Sequence, residues 1–142
     1  MKEAEVNLWD ATSDLVVVTT NGTVKRNGAC VMGRGCAREA KQKYPGVEFL
    51  LGKYLRRYGN RPFLLHLNLA SFPVKHDWWD LADYHLIAQS ACLLLDTVNR
   101  RGYNDVVLPR PGCGNGGLSW KSVRKILEPI LDDRFTVVTF PR

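Results

Sequence analysis

Gly112, Gly114 and Gly117 stand at G-x-G-x-x-G spacing in "LPRPGCGNGGLSW" (108–120), between an apolar run and a helical pattern. A strand-to-helix loop of this composition presents backbone N–H groups beside the positive end of a helix dipole, which suits a phosphate or diphosphate. A second segment has the same layout: "TTNGTVKRNGACVMGRGCAREA" (19–40) runs from an apolar strand through Gly28, Gly33 and Gly35 into an amphipathic helix. If the two strands are neighbours, both loops meet at the carboxyl edge of the sheet, and one diphosphate fits between two backbone nests. Asn21 stands at the rim of that second segment. Its amide can donate to and accept from a ribose hydroxyl, and an Asn before Gly is equally suited to a turn.

Two familiar phosphate loops do not fit. A dinucleotide fingerprint needs an acidic residue about 20 positions on, at the end of the next strand. Asp132 and Asp133 precede that strand instead of ending it. A Walker loop fails for want of Gly-Lys-Ser/Thr.

The elements that position these loops alternate between strand-like and helix-like periods, which predicts an α/β layer fold. Strands are expected at Glu5–Trp9, Leu15–Thr19, Phe63–Leu69, Asp105–Pro109 and Phe135–Phe140, several with the continuous apolar character of strands covered on both faces. Helices are expected at Arg34–Tyr44, Val47–Tyr58, Leu81–Arg101 and Ser119–Leu131. Ser119 is placed as an N-cap, Pro45-Gly46 separates the first two helices, and Pro129 ends or kinks the last.

A length of 142 residues and 45% hydrophobic content predict a single domain over 1–142. No apolar run approaches the roughly 20 residues of a membrane helix, and "MKEAEVNLWD" lacks a secretory apolar stretch, so a cytoplasmic location without a membrane partner is expected. Cys30, Cys36, Cys92 and Cys113 form no C-x-x-C pair and have no His at ligand spacing, so neither a metal site nor a disulfide framework is expected and most should be small buried side chains. The formal charge of +6 and a pI near 9.3 fit either a polyanionic partner or a merely soluble surface. Basic groups gather at Lys53, Arg56, Arg57 and Arg61, at Arg100 and Arg101, and at Lys121, Arg124 and Lys125, with no aromatic-basic RNA motif beside them.

Taken in order along nearly the whole chain, "VVVTTNG…GACVMGRGCAREAKQKYP", "SFPVKHDWW" and "LPRPGCGNGGLSW" resemble a macrodomain, the ADP-ribose-binding three-layer α/β/α fold with a mixed central sheet. More narrowly, they resemble the subclass of the terminal ADP-ribose glycohydrolase and of antitoxin macrodomains that remove ADP-ribose from DNA. The resemblance implies that Asn21 bonds the distal ribose, that Met32, Gly33, Arg34 and Gly35 wrap the diphosphate, and that Gly112, Cys113, Gly114, Asn115, Gly116, Gly117 and Leu118 wrap it from the other side. It further implies that Asp10 accepts from the adenine amino group and that Phe140 packs on the ring. Lys75 matches the subclass's Phe-Pro-x-Lys lysine, which attacks or polarises the anomeric carbon of the distal ribose; a clamp on the diphosphate is the alternative role. Attack requires the unprotonated amine, and the neighbouring His76 could relay a proton.

Gly116 occupies the position where vertebrate-type glycohydrolases pair the lysine with an Asp, so a Lys/Asp mechanism is not available, and Val74 stands where the subclass often has Thr. Asn115-Gly116-Gly117 matches the antitoxin loop. The expectation is therefore an ADP-ribosyl glycohydrolase, without cofactor and monomeric, acting on ADP-ribose attached to nucleic acid or protein. The alternatives are a non-catalytic ADP-ribose-binding module and a phosphatase acting on ADP-ribose 1-phosphate. Trp78 and Trp79 either offer a stacking surface for a neighbouring base or belong to the core.

Overall fold

Residues such as Val17 and Val18 are both fully buried although adjacent in one strand, so apolar layers must cover both faces of the sheet. The computed structural model, which describes residues 1–141, shows how. Six strands, β1 (Lys2–Glu5), β2 (Leu15–Asn21), β3 (Leu64–His66), β4 (Leu69–Lys75), β5 (Val106–Pro109) and β6 (Phe135–Thr139), form one sheet in the order β1-β6-β5-β2-β4-β3. All neighbours are parallel except the β3/β4 pair, which makes the sheet mixed. Helices α1 (Gly35–Lys43) and α2 (Val47–Tyr58) cover one face, and α3 (Tyr84–Arg101) and α4 (Trp120–Leu127) the other.

Successive strand residues feed opposite cores, as their period of two requires. Val17, Val106, Leu108 and Val137 pack with Ile87, Leu94 and Leu127 of α3 and α4, whereas Val18, Val107 and Val138 pack with Ala40, Leu51 and Leu55 of α1 and α2. This is the three-layer α/β/α arrangement.

Several boundaries differ from the sequence expectation. Most instructive is β4, a central strand inside what reads as a single strand at 63–69 followed by a loop. Pro73 hides it, because proline removes a ladder donor and argues against a central strand. The Ser71 amide donates to Phe63 on the β3 side, and Pro73, two residues on, faces the same side beyond the N-terminal start of β3, where no ladder donor is needed. The Pro73 carbonyl accepts from Ser90 Oγ of α3 at 2.8 Å. Lys75 therefore ends a strand.

The expected strand at Glu5–Trp9 lies earlier, at Lys2–Glu5, a short exposed edge strand. Asn7 turns the chain out of the sheet: its Oδ1 accepts from Trp9 N at 3.0 Å and its carbonyl from the amides of Asp10 and Ala11. α3 begins at Tyr84, capped by Asp83 Oδ1, which accepts from the amides of His85 and Leu86. Ser119 does occupy the N-cap position of α4, without a side-chain capping bond, and that helix ends at Leu127, ahead of Pro129. Only Cys30 of the four free cysteines is buried; Cys92 is exposed, because it faces outward on α3.

Candidate active site

The two glycine-rich loops meet at the carboxyl ends of β2, β4 and β5, since β2 lies between the other two. They enclose a cleft of about 970 Å³. One wall runs from Val31 to Ala37, the other through Pro109, Arg110, Gly112 and Gly114–Gly116, and the floor and rim comprise Thr19–Asn21, Val74, Lys75 and Trp78–Leu81.

The first wall is built around the start of α1. Its N-cap residue, Arg34, makes no side-chain capping bond, so the first-turn amides of the helix are left for a ligand. Among the described residues the amides of Gly33, Gly35 and Cys36 have no hydrogen-bond partner. A Cβ added to Gly33 or Gly35 would meet nothing within 4 Å, so these glycines border open space. The thiol of Cys36 lies 3.4 Å from Thr19 Oγ1, and burial pushes it up from its ordinary pKa.

The second wall is closed by packing. A Cβ on Gly116 would stand 2.5 Å from the Gly112 carbonyl oxygen and 2.7 Å from Ala82 Cβ. Gly112, at φ +73°, would bring one to 2.9 Å from Ala82 and Ile87. The Gly116 carbonyl accepts from Ala82 N at 3.0 Å, which ties this loop to the segment leading into α3. The amides of Gly114, Asn115 and Gly116 have no partner among the described residues and complete the second nest.

Lys75 borders the same cleft from the end of β4, its Nζ donating to the Trp78 carbonyl at 3.3 Å. His76 is engaged away from the chemistry. Its Nε2 is 2.8 Å from Asp83 Oδ2, and it does not border the cleft. That hydrogen bond, with the amides of His85 and Leu86, holds the Asp83 carboxyl below the usual aspartate range. Asn21 Nδ2 donates to Val31 O at 2.9 Å and its Oδ1 accepts from Thr23 N at 3.0 Å, so the amide builds the turn of the first loop. Cys30 Sγ stands 3.9 Å from the same oxygen, and one N–H of the amide remains for a ligand.

Met32, Gly33, Arg34, Gly35, Gly112, Gly114, Asn115 and Gly116 all border the cleft, as do Asn21 and Lys75. Cys113, Gly117 and Leu118 stand behind it: Cys113 and Leu118 pack against the α3/α4 core, and the Gly117 and Leu118 amides close the turn onto Gly114 and Gly112. Asp10 and Phe140 are not among the residues that line it. The turn at Asn7 keeps Asp10 exposed outside the walls, and β6 ends one residue before Phe140, which is 74% exposed. Trp78 and Trp79 are rim residues, not core, 51% and 64% exposed and packed edge to face at 5.8 Å. Sequence reasoning missed Thr23, Asp80 and Arg110. Arg110, stacked 5.0 Å over Trp120, lacks any period or motif that would single it out.

An α/β/α sandwich whose parallel strands deliver two anion nests and a lysine to one cleft defines a macrodomain. No protein-family model matches the chain. It is 31% identical over 121 residues to the ADP-ribose glycohydrolase OARD1 of Bos taurus, covering 75% of that protein. It is 26% identical over 136 residues to a DNA ADP-ribosyl glycohydrolase of Thermus aquaticus, of which it spans only 36%. The solved macrodomain of Mycobacterium tuberculosis DarG superposes with a TM-score of 0.80 over 99% of this chain and 97% of that one, at 25% identity. The chain belongs to the macrodomain family, among the glycohydrolase-type members.

Proposed function

We propose that the protein is an ADP-ribosyl glycohydrolase that binds ADP-ribose in this cleft and removes it from DNA. The observation that carries the proposal is that Lys75 lines the same cleft as two sets of unpartnered backbone amides. The amides suit the diphosphate of an ADP-ribosyl group, which puts the distal ribose within reach of the lysine. The unprotonated amine adds to the anomeric carbon as the bond to the modified base breaks, the bonding pair leaving with the base. Water then takes the place of the lysine at that carbon and frees ADP-ribose. Charge developing on the anomeric carbon in an oxocarbenium-like transition state is stabilised by the nearby diphosphate.

A carboxylate at position 116 is sterically disfavoured, because a Cβ there would stand 2.5 Å from the Gly112 carbonyl oxygen. That supports a single-lysine chemistry, and the DNA ADP-ribosyl glycohydrolase activity named for the Thermus aquaticus relative supports DNA as the substrate. Cytoplasmic location and a monomeric state complete the reading; no helix among the described residues is long and apolar enough to cross a membrane.

The test offers the protein ADP-ribosylated single-stranded DNA, a protein modified on Glu, and ADP-ribose 1-phosphate, and identifies the products. Release of free ADP-ribose, fastest from DNA, is expected. Release from the modified protein alone would overturn the substrate assignment. Phosphate from the 1-phosphate, with no release from either macromolecule, would make the protein a phosphatase.

A further inference from the structure

Every unit of the formal charge surplus falls in one stretch. Residues 34–61, which hold α1 and α2, contain eight Lys or Arg and two Glu, whereas the rest of the chain contains twelve of each sign. The opposite helix layer pairs two of its three arginines: Arg100 with Asp96, and Arg124 with Glu3 and Glu128. Lys53, Arg56 and Arg57 have no acidic partner among the described residues.

These three cations share one exposed stripe of α2 with Phe49, at helical spacing over about 12 Å. With Asn27 and Gly28 they line a shallow groove of about 560 Å³. A cationic groove with an aromatic side chain, here 49% exposed, has the composition that holds single strands: charge for phosphates, a ring for bases. The groove adjoins the cleft. Arg56 Nη2 donates to the carbonyl of Lys25 at 3.0 Å, and Lys25 borders the cleft. Two residues back, Thr23 Oγ1 accepts from the Trp78 amide at 3.0 Å, so the segment 23–25 bridges the aromatic rim and α2. Gly52 fixes that junction, because any Cβ there would collide with the Gly28 carbonyl oxygen.

We propose that this stripe of α2 is the docking surface for single-stranded DNA flanking the modified nucleotide, so that the strand leaves the cleft past Trp78 and Lys25 and lies along Phe49, Lys53, Arg56 and Arg57. This rests on the DNA-directed reading above. An acidic polypeptide without aromatic residues would satisfy the cations but gives Phe49 nothing to stack on, whereas every nucleotide brings a base.

The test uses single-turnover release of ADP-ribose from an oligonucleotide with long flanks and from a single modified nucleotide, with wild type, Lys53→Glu/Arg57→Glu and Phe49→Ala. The double variant is expected to lose at least tenfold in apparent affinity for the flanked substrate. Its salt slope should shrink by about 1.4, at roughly 0.7 for each of the two phosphates left without a cation. Phe49→Ala loses severalfold. Thermal midpoint, free ADP-ribose affinity and turnover of the single nucleotide stay at wild-type values. A double variant with wild-type affinity and salt slope on the flanked substrate overturns the surface, and so does displacement of the strand by polyglutamate as readily as by oligothymidylate. Absence of release from every DNA substrate, with ADP-ribose binding intact, overturns the proposed function instead. Binding of a labelled unmodified oligonucleotide, read by anisotropy, then decides the surface by itself: it survives only if the double variant weakens that binding.

Discussion

The two walls of the cleft use glycine for different reasons. At Gly33 and Gly114 a side chain would enter open space, so their bareness serves whatever occupies the cleft. At Gly112 and Gly116 it would collide with Ala82, Ile87 or backbone, so theirs serves the packing of the loop against α3. The helix starts repeat the contrast: α1 opens towards the cleft without a side-chain cap, whereas α3, behind the second wall, is capped by Asp83. α1 leaves its donors free at the cleft, and α3 satisfies two of its own.

The comparison breaks most sharply at Gly116→Asp, which restores the carboxylate of the vertebrate-type loop. Overpacking against Gly112 and Ala82 should cost about 2–3 kcal/mol, lowering the thermal midpoint by on the order of 10 °C for a chain of this size. Unchanged stability would show that the loop yields. Gly114→Glu should do the reverse, leaving the midpoint nearly unchanged while a carboxylate among the free amides weakens ADP-ribose binding about a hundredfold, roughly 2.7 kcal/mol. Calorimetry showing equal affinity would remove Gly114 from the nest.

At the helix starts, Asp83→Ala should lose about 1 kcal/mol of stability with the cap, and Arg34→Ala almost none, as denaturant midpoints would record. The smallest effect is on pH. The folded pKa of Asp83 is depressed, so its contribution is present above the ordinary aspartate value of about 3.9 and is lost as pH falls through the lower folded value. Wild type should therefore lose slightly more stability than Asp83→Ala on acidification below that point, and parallel profiles would show that the His76 bond contributes nothing.

The sequence carries the layer order and both loops plainly, because apolar runs with strand or helix periods are set by burial on the two faces. β4 is hidden because Pro73 is acceptable only where it lies beyond the start of its antiparallel partner β3, a fact of tertiary pairing. Lys75 is legible only through its motif, since nothing in local composition distinguishes a strand-end lysine in a cleft from an exposed one. Asn21 illustrates the opposite difficulty: both of its readings are physically open, because the amide that shapes the turn retains spare hydrogen-bonding capacity. The placement of Asp10 and Phe140 depends on the Asn7 turn and on where β6 stops, which spacing does not encode.

The central claim is that one lysine, in a cleft shared with two sets of free backbone amides, performs the chemistry. Its most direct test compares wild type and Lys75→Ala in single-turnover release of ADP-ribose from ADP-ribosylated single-stranded DNA, with ADP-ribose affinity measured alongside. The release rate should fall by at least about a thousandfold, roughly 4 kcal/mol of transition-state stabilisation, while affinity stays within about tenfold. Release by Lys75→Ala at the wild-type rate would contradict the account.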